Sequence, residues 1–304
     1  MNAAGSLLQT IITRTRGYLD DPDVDAKYTD DYTLRHYVMP SIVDVLARLN
    51  LNSDNPVVNK LSYTLADGTF DYTLPPCVQA ILRLCTESED HVVVSEIKPK
   101  GLFNWSGPGL ALEGNILRID PLVITDNVTV SLWYISNGDV MPHYSTSGGT
   151  LALNSDGVHE FTFGTPALGE VDRRVNAYAG QTLRLIPSAS GSPIEERIIE
   201  STRRSGGNWI ATLRHNFTET APASSIPYEV SPPAIEGLIE AVALLAAMKM
   251  GVSRKISQPH QQGLQLQYRM AMKTVGDNLS LMQQRTFKQV EKSTVDRGWG
   301  PLSE

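Results

Sequence analysis

The stretch QTLRLIPSASGSPIEERIIES, residues 181–201, decides how the middle of the chain folds. Residues 181–186 and 194–201 are strand-like, since each mixes β-branched or other apolar side chains with charged ones over a short length. The interval 188–193 between them contains Ser, Gly and Pro, which favour a turn. The stretch therefore predicts two strands joined by a turn.

Strand-like stretches on both sides extend this β unit to residues 143–230. Residues 157–163 precede the quoted stretch, and residues 208–215 follow it after a turn at 205–207. The entry to the unit is rich in Ser, Thr and Gly, and its exit is rich in Pro. We interpret residues 143–230 as an inserted small β domain.

The segment before it, residues 57–142, predicts a β-hairpin and a small sheet. Apolar residues alternate with polar ones on both sides of Asp67-Gly68, a dipeptide that favours a hairpin turn: Leu61, Tyr63 and Leu65 before it, and Phe70, Tyr72 and Leu74 after it. Residues 116–119 and 128–135 predict a further pair of strands.

Helical periodicity is found towards the two ends of the chain. Residues 1–56 predict two helices, and the second contains Pro40, which should bend or locally break it. Residues 231–285 predict two more helices, the first rich in Ala. Apolar residues spaced by three and four mark the buried faces: Leu34, Val38, Ile42, Val45, Leu46 and Leu49 near the N-terminus, and Leu264, Tyr268, Ala271, Val275, Leu279 and Met282 near the C-terminus.

The predicted fold class is therefore α+β. A helical bundle formed by the N- and C-terminal helices is expected to bracket the β-hairpin and sheet segments and the inserted small β domain. The domain organisation that follows is 1–56 (N-terminal bundle helices), 57–142 (hairpin and sheet), 143–230 (inserted β domain), 231–285 (C-terminal bundle helices) and 286–304 (an extended docking tail).

Composition places the chain among globular proteins. Of 304 residues, 41% are hydrophobic and 19% are charged, and the mean hydropathy is -0.17. No apolar run approaches the ~20 residues that span a bilayer, and no secretory leader is visible. Two cysteines, Cys77 and Cys85, are too few for a disulfide framework. We expect a protein without membrane segments that is made and used inside a cell.

No residue pattern predicts a catalytic, metal or cofactor site. The six histidines are isolated, and the glycines between 101 and 114 are not followed by the Lys-Ser or Lys-Thr of a phosphate loop. Asp21, Asp23 and Asp25 imitate the start of an EF-hand, but Ala26 stands where that loop needs Gly. We expect a protein that is not an enzyme and binds no cofactor; a catalytic triad assembled from distant residues stays open.

Charge is unevenly distributed along the chain. Residues 57–248 carry twelve basic and twenty-one acidic side chains, whereas residues 249–304 carry nine basic and four acidic ones. Near the C-terminus, basic and apolar residues interleave without periodicity, which is typical of a segment that orders on docking to a partner. Packing of this tail on its own domain is the alternative. The candidate partner-binding residues are Arg285, Phe287, Lys288, Val290, Lys292, Arg297, Trp299 and Leu302.

Four stretches together resemble one protein family. YTDDYTLRHYVMPSIVDVLARLN (residues 28–50) is similar to a bundle helix, LSYTLADGTFDYTLPPCVQAILRL (61–84) to a hairpin ending in Leu-Pro, and NILRIDPLVITDNVTVSLWYI (115–135) to a strand pair ending in aromatic residues. NAYAGQTLRLIPSASGSPIEERIIES (176–201) looks like a small β domain of phage structural proteins. In this order the elements resemble the head-to-tail adaptor (connector, or head-completion) proteins of tailed bacteriophages.

The resemblance implies a structural virion protein at the head–tail junction, assembled in the host cytoplasm. Subunits would form a dodecameric ring beneath the portal, with the C-terminal segment on the portal protein and the other face on a downstream tail or nozzle protein. Genomic DNA would pass through the ring without specific binding. An acidic body suits such a channel, because Lys and Arg would pair with phosphates and slow the DNA.

Two other classes of function remain open. A β-rich, tail-associated adhesin would use residues 143–230 as a glycan-binding head, with Tyr178, Trp209 and Phe217 as stacking platforms. A hydrolase using the neighbouring carboxylates of Glu195 and Glu196 is less favoured, because adjacent side chains on a strand point to opposite faces.

Overall fold

The structure is a computed structural model, and it describes residues 6–20, 28–52, 58–66, 69, 71–86, 92–94, 97–99, 110–119, 128–174, 176–186, 195–218, 225–233 and 235–295. The helices in these ranges are α1 (Leu7–Gly17), α2 (Asp30–Thr33), a π-helical turn (Leu34–Val38), α3 (Met39–Asn52), α4 (Ile235–Arg254) and α5 (Gln258–Val295). The strands are β1 (Val58–Leu65), β2 (Asp71–Thr73), β3 (Val78–Thr86), β4 (Val92–Val94), β5 (Ile97–Pro99), β6 (Leu110–Glu113), β7 (Ile116–Ile119), β8 (Val128–Ser136), β9 (His143–Leu153), β10 (His159–Thr162), β11 (Thr182–Leu185), β12 (Glu195–Ser205), β13 (Asn208–Leu213) and β14 (Ile226–Ser231).

A closed barrel of antiparallel strands, in the order β10-β13-β12-β11-β14-β9, forms the centre of the molecule. The two strands predicted at 181–186 and 194–201 are confirmed as β11 and β12, paired with Thr182 opposite Ile198. Closure follows because β9 pairs with both β10 and β14. Large side chains fill the interior, among them Phe161, Tyr178 and Tyr228, each fully buried.

The helical bundle expected from the sequence is wrong as the organising fold. The structure is instead a mixed fold of helices and strands with a closed six-stranded antiparallel barrel, and the helices share their core with residues of the barrel region. Their apolar core includes Tyr144, Leu168 and Ile186 from the barrel region. Helical periodicity identifies which face of each helix is buried, but it does not identify the surface that covers that face.

The interior of the barrel is continuous with the core of the neighbouring sheet. One apolar core contains Phe161 and Tyr228 of the barrel together with Leu61 and Tyr134 of the sheet β1-β8-β3-β4. At the junction, the amide of Gln181 donates to the Cys77 sulfur at 3.2 Å. The two β units are therefore expected to unfold together.

The predicted hairpin does not form between the described strands β1 and β2. β1 pairs with β8, with Leu61 opposite Leu132, whereas β2 pairs with β7 in the other sheet, β2-β7-β6-β5. The two strands predicted at residues 116–119 and 128–135 are confirmed as β7 and β8, and they lie in different sheets, since β7 pairs with β2 and β6. Asp67-Gly68 lies outside the described residues. Alternation identifies a strand, but its partner is set by contacts distant in sequence.

Pro40 produces a local change of helix type. The backbone N–H of Met39 donates to the carbonyl of Leu34, an i to i+5 bond that defines the π-helical turn before Pro40. Proline has no N–H to donate to the carbonyl four residues earlier, and a wider turn accommodates its ring. The expected local break is thus confirmed as a π-helical turn, after which α3 continues to Asn52.

A buried carboxylate joins the N-terminal helix to the barrel. Glu229 of β14 accepts hydrogen bonds from the Ser6 hydroxyl at 2.6 Å and from the Leu8 N–H at 3.2 Å. Ser6 is also the N-cap of α1, so the negative charge lies where the helix dipole favours it. Burial raises the pKa of Glu229 to about 6, and the bond from Ser6 opposes that rise. Arg184 of β11 lies directly opposite Glu229 and pairs with Glu196 on its other side.

Candidate functional site

Chemistry-bearing side chains do not converge in the part of the chain that the structure describes. No group of three or more His, Cys, Asp or Glu residues there could hold a metal ion. Glu195 binds Arg197 at 3.1 Å, whereas Glu196 pairs with Arg184, so the two carboxylates have separate partners. Among the described helices, none is long and apolar enough to cross a membrane.

The candidate docking residues lie at and beyond the end of α5. Arg285, Phe287, Lys288, Val290 and Lys292 fall within this helix, which continues to Val295 and so passes the expected boundary at 286. Arg297, Trp299 and Leu302 lie outside the described residues. Docking by this segment therefore stays a prediction.

α5 is much longer than the helix it packs against. It has 38 residues, which corresponds to about 57 Å at 1.5 Å per residue, whereas α4 has 20 residues and spans about 30 Å. A short connection after Arg254 makes the two helices antiparallel neighbours. The packed face of α5 contains Leu264, Tyr268 and Val275. Beyond that point α5 continues past the length that α4 can cover.

The opposite side of α5 carries an exposed stripe, which we define as Leu266, Arg269, Met270 and Lys273. Leu266 and Met270 are 62% and 64% exposed and lie one turn apart. Arg269 and Lys273 are exposed between and after them, and neither has an ion-pair partner among the described residues. Exposed large apolar side chains next to cations are typical of a surface that another protein covers.

A cleft of about 930 Å³ lies at one end of the barrel. Its walls come from the region of β9 and β10, from the loop after Leu168 and from the turn between β12 and β13. The charged and larger polar or aromatic side chains of the lining include Arg173, Arg204, Trp209, Asn208 and Glu170. The lining also includes Gly148, Thr150, Thr162, Phe163, Gly164, Thr165, Pro166, Gly169, Val171 and Gly207. The lining is thus mainly polar and rich in glycine.

The cleft is positive although the chain as a whole is acidic. Glu170 is the one acidic residue among the described residues that line it, and its carboxylate pairs at 2.9 Å with Arg35, which also binds Asp31 at 2.7 Å. Arg173 and Arg204 are exposed, and no described residue forms an ion pair with either. Two guanidinium groups therefore face the cleft without a carboxylate partner.

The three aromatic residues considered for glycan stacking have different environments. Tyr178 and Phe217 are buried in the barrel core, 0% and 3% exposed. Trp209 is half-buried, packs against the same core and lines the cleft. Only Trp209 of this set is therefore available to a ligand.

No protein-family model matches the chain, and a search of curated proteins gave no match.

The sequence contained part of the signal for the cleft. Arg204 and Trp209 are separated only by the short turn at Gly206-Gly207, so a hairpin register brings them together. Arg173 reaches the cleft from a loop more than thirty positions earlier. The exposed stripe on α5 could have been found as the side of the helix opposite to the predicted apolar face.

Proposed function

We propose that this chain is a non-enzymatic head-to-tail adaptor of a tailed bacteriophage, which forms a dodecameric ring between the portal protein and a downstream tail or nozzle protein. The family assignment comes from the sequence resemblance. The observation that carries the assembly is the exposed stripe on α5. Genomic DNA passes through the ring without specific binding, and the protein belongs to the virion at the head–tail junction.

The stripe fits a contact between neighbouring subunits. In a ring, each subunit presents one surface to the subunit ahead and a different surface to the subunit behind. Leu266 and Met270 supply apolar area on one side, and Arg269 and Lys273 supply positive charge. The body contributed by residues 57–248 is strongly acidic and offers the complementary charge.

The distal half of α5 fits the portal contact. This half continues past the length covered by α4 and leads to the basic segment containing Arg285, Lys288, Lys292 and Arg297. A long helix that ends in basic and apolar side chains can reach a partner while the barrel and sheets stay at a distance.

The variant Leu266→Glu/Met270→Glu tests the stripe. On portal rings of the same phage, we expect the unchanged chain to bind with a steep, cooperative isotherm, because each bound subunit presents its stripe to the next. The double variant should bind without cooperativity and at least about tenfold more weakly than the unchanged chain, since two charges would be buried at the contact between subunits. Co-sedimentation at increasing concentration measures both properties.

A matched control is Leu153→Glu, which places one charge at an exposed apolar position of the barrel, 54% exposed. This variant should bind like the unchanged chain. Equal, steep binding by the double variant, or non-cooperative binding by the unchanged chain, would contradict the ring contact through α5.

The adhesin alternative makes a different prediction for particle shape. A tail-associated glycan-binding protein should appear as slender trimers in negative stain, whereas an adaptor should give rings with a central channel on the portal. With Tyr178 and Phe217 in the core, such an adhesin would need a glycan surface built around Trp209 alone.

A further inference from the structure

We propose that the cleft at the end of the barrel binds a short acidic peptide segment of a partner protein, with Arg173 and Arg204 pairing with its carboxylates and Trp209 packing against its backbone. This inference does not rest on the ring proposed above.

Strand pairing places Arg204 and Trp209 side by side. The two residues are directly opposite each other on β12 and β13, which puts their Cβ atoms about 5 Å apart on the same face. The preceding residue, Arg203, points to the other face, where it pairs with Glu160 at 2.7 Å. Because Arg203 already has a carboxylate and Arg204 has none among the described residues, only Arg204 is free to bind a ligand.

The loop that carries Arg173 is held in place before any ligand arrives. Arg174 binds Asp172 at 2.7 Å and Asp139 at 2.9 Å. On the other side of Arg173, the Gly169 N–H donates to Asp31 at 3.0 Å. The loop is thus fixed at both ends, so little conformational entropy is lost when Arg173 binds an anion.

The floor of the cleft is open because glycines meet there. A Cβ atom on Gly164 would lie 2.6 Å from the carbonyl of Gly148, which is closer than any real side chain allows. An extended backbone can approach such a surface, and Thr150 and Thr165 also line the cleft. The volume of about 930 Å³ is within the range of ligand sites.

The residue types favour a peptide over other anions. Arg and Trp dominate the binding energy of protein interfaces, and guanidinium groups bind carboxylates with two parallel hydrogen bonds. A nucleic acid or a long acidic polysaccharide would extend onto the surrounding surface, which belongs to a segment with nine more acidic than basic residues. A short peptide with a few carboxylates interacts mainly with the two arginines.

Fluorescence anisotropy with a labelled peptide of alternating Glu and Gly tests the site on the full chain. We expect binding that weakens as salt is raised, and no binding of the same peptide with Gln in place of Glu. Arg173→Gln and Arg204→Gln should each weaken binding about tenfold, the loss of one charge-assisted pair. Arg203→Gln is the matched control, and it should bind the peptide like the unchanged chain.

Several results would overturn the proposal. One is absence of peptide binding to the unchanged chain. The others are binding by the Arg173 and Arg204 variants that equals binding by the unchanged chain, and a loss of binding in the Arg203 variant that is as large as the loss in those two variants. Oligogalacturonate and a short single-stranded DNA serve as competitors. Displacement of the peptide by either one at lower concentration than unlabelled peptide would show that the cleft prefers a sugar acid or a phosphate chain.

Discussion

His143 is a titratable side chain enclosed by aromatic rings inside the barrel. Its ring meets those of Phe163, Tyr178 and Tyr228 edge-on, with centroids 5.2, 5.2 and 5.6 Å away. Burial lowers its pKa from 6.5 to about 3, because the imidazolium would lose its water in this position. In the folded protein His143 therefore stays neutral between pH 6.5 and about pH 3, whereas in the unfolded chain this side chain takes up a proton as the pH falls below 6.5.

This burial predicts a stability that falls with acid. Below pH 6.5 the unfolded state binds a proton that folded His143 does not bind, so the free energy of unfolding should drop by about 1.4 kcal/mol per pH unit until the pH approaches 3. His143→Phe keeps the size of the ring and removes the titration. In urea unfolding at about pH 7 and about pH 5, the variant should lose less stability on acidification than the unchanged chain, by about 2 kcal/mol.

His215 provides the control, because it is exposed. The variant His215→Phe should show the same acid dependence as the unchanged chain. If His143→Phe loses as much stability between the two pH values as the unchanged chain does, His143 is not the group responsible.

At the scale of elements, the sequence predicted buried faces well and strand partners poorly. The apolar residues of α3 and of the first half of α5 are buried as their spacing indicates, for example Ile42, Leu46 and Leu264. Helical spacing is a local property, and so it can be found in one stretch of sequence. The pairing of β1 with β8 joins positions about seventy residues apart, and nothing in the alternation of either strand encodes that choice.

The cleft likewise has one part that local sequence predicts and one part that depends on contacts between distant residues. The neighbourhood of Arg204 and Trp209 is local, since a tight turn fixes their register. The position of Arg173 depends on an ion pair that connects its loop to Asp139 and on a hydrogen bond from the Gly169 N–H to Asp31 in the helical region. These contacts join residues that are far apart in the sequence, so a cleft with two arginines that lack ion pairs among the described residues could not be predicted from spacing.

The junction between barrel and sheet depends on a glycine. Gly180 precedes β11 with a φ of +79°, and an added Cβ atom would overlap the hydroxyl of Tyr134 in β8. Tyr134 is fully buried and has little room to move. Gly180→Ala should therefore lower the free energy of unfolding by about 2 to 4 kcal/mol, from a disfavoured backbone conformation and from overpacking.

Two comparisons separate these contributions. Gly157→Ala has a similar φ of +73° with no atom within 4 Å of the added Cβ, so it should cost only about 1 kcal/mol. Tyr134→Phe removes the overlapping oxygen, and it should restore part of the stability lost in Gly180→Ala. Equal losses for the two glycine variants in urea unfolding would contradict a tight junction at Tyr134.

At the scale of the whole molecule, the structure combines a closed barrel, two sheets and a long helix whose second half extends past its packing partner. The barrel and the sheet β1-β8-β3-β4 share one core, so these two parts are expected to behave as one rigid unit. α5 differs from this body in both exposure and charge. In the proposed ring, α5 contacts part of the acidic body of the neighbouring subunit and leaves the remaining surface of the barrel and sheets for other components.

We propose that the chain assembles on a portal through its C-terminal helix and basic segment. Native mass spectrometry of the purified chain mixed with portal rings measures this directly. We expect the portal to gain twelve chains of 33.3 kDa, and we expect no gain with a chain that lacks residues 286–304 but melts at the same temperature. Portal rings that gain no mass from the full chain, or that gain the same mass from the truncated chain, would contradict assembly on the portal through this segment.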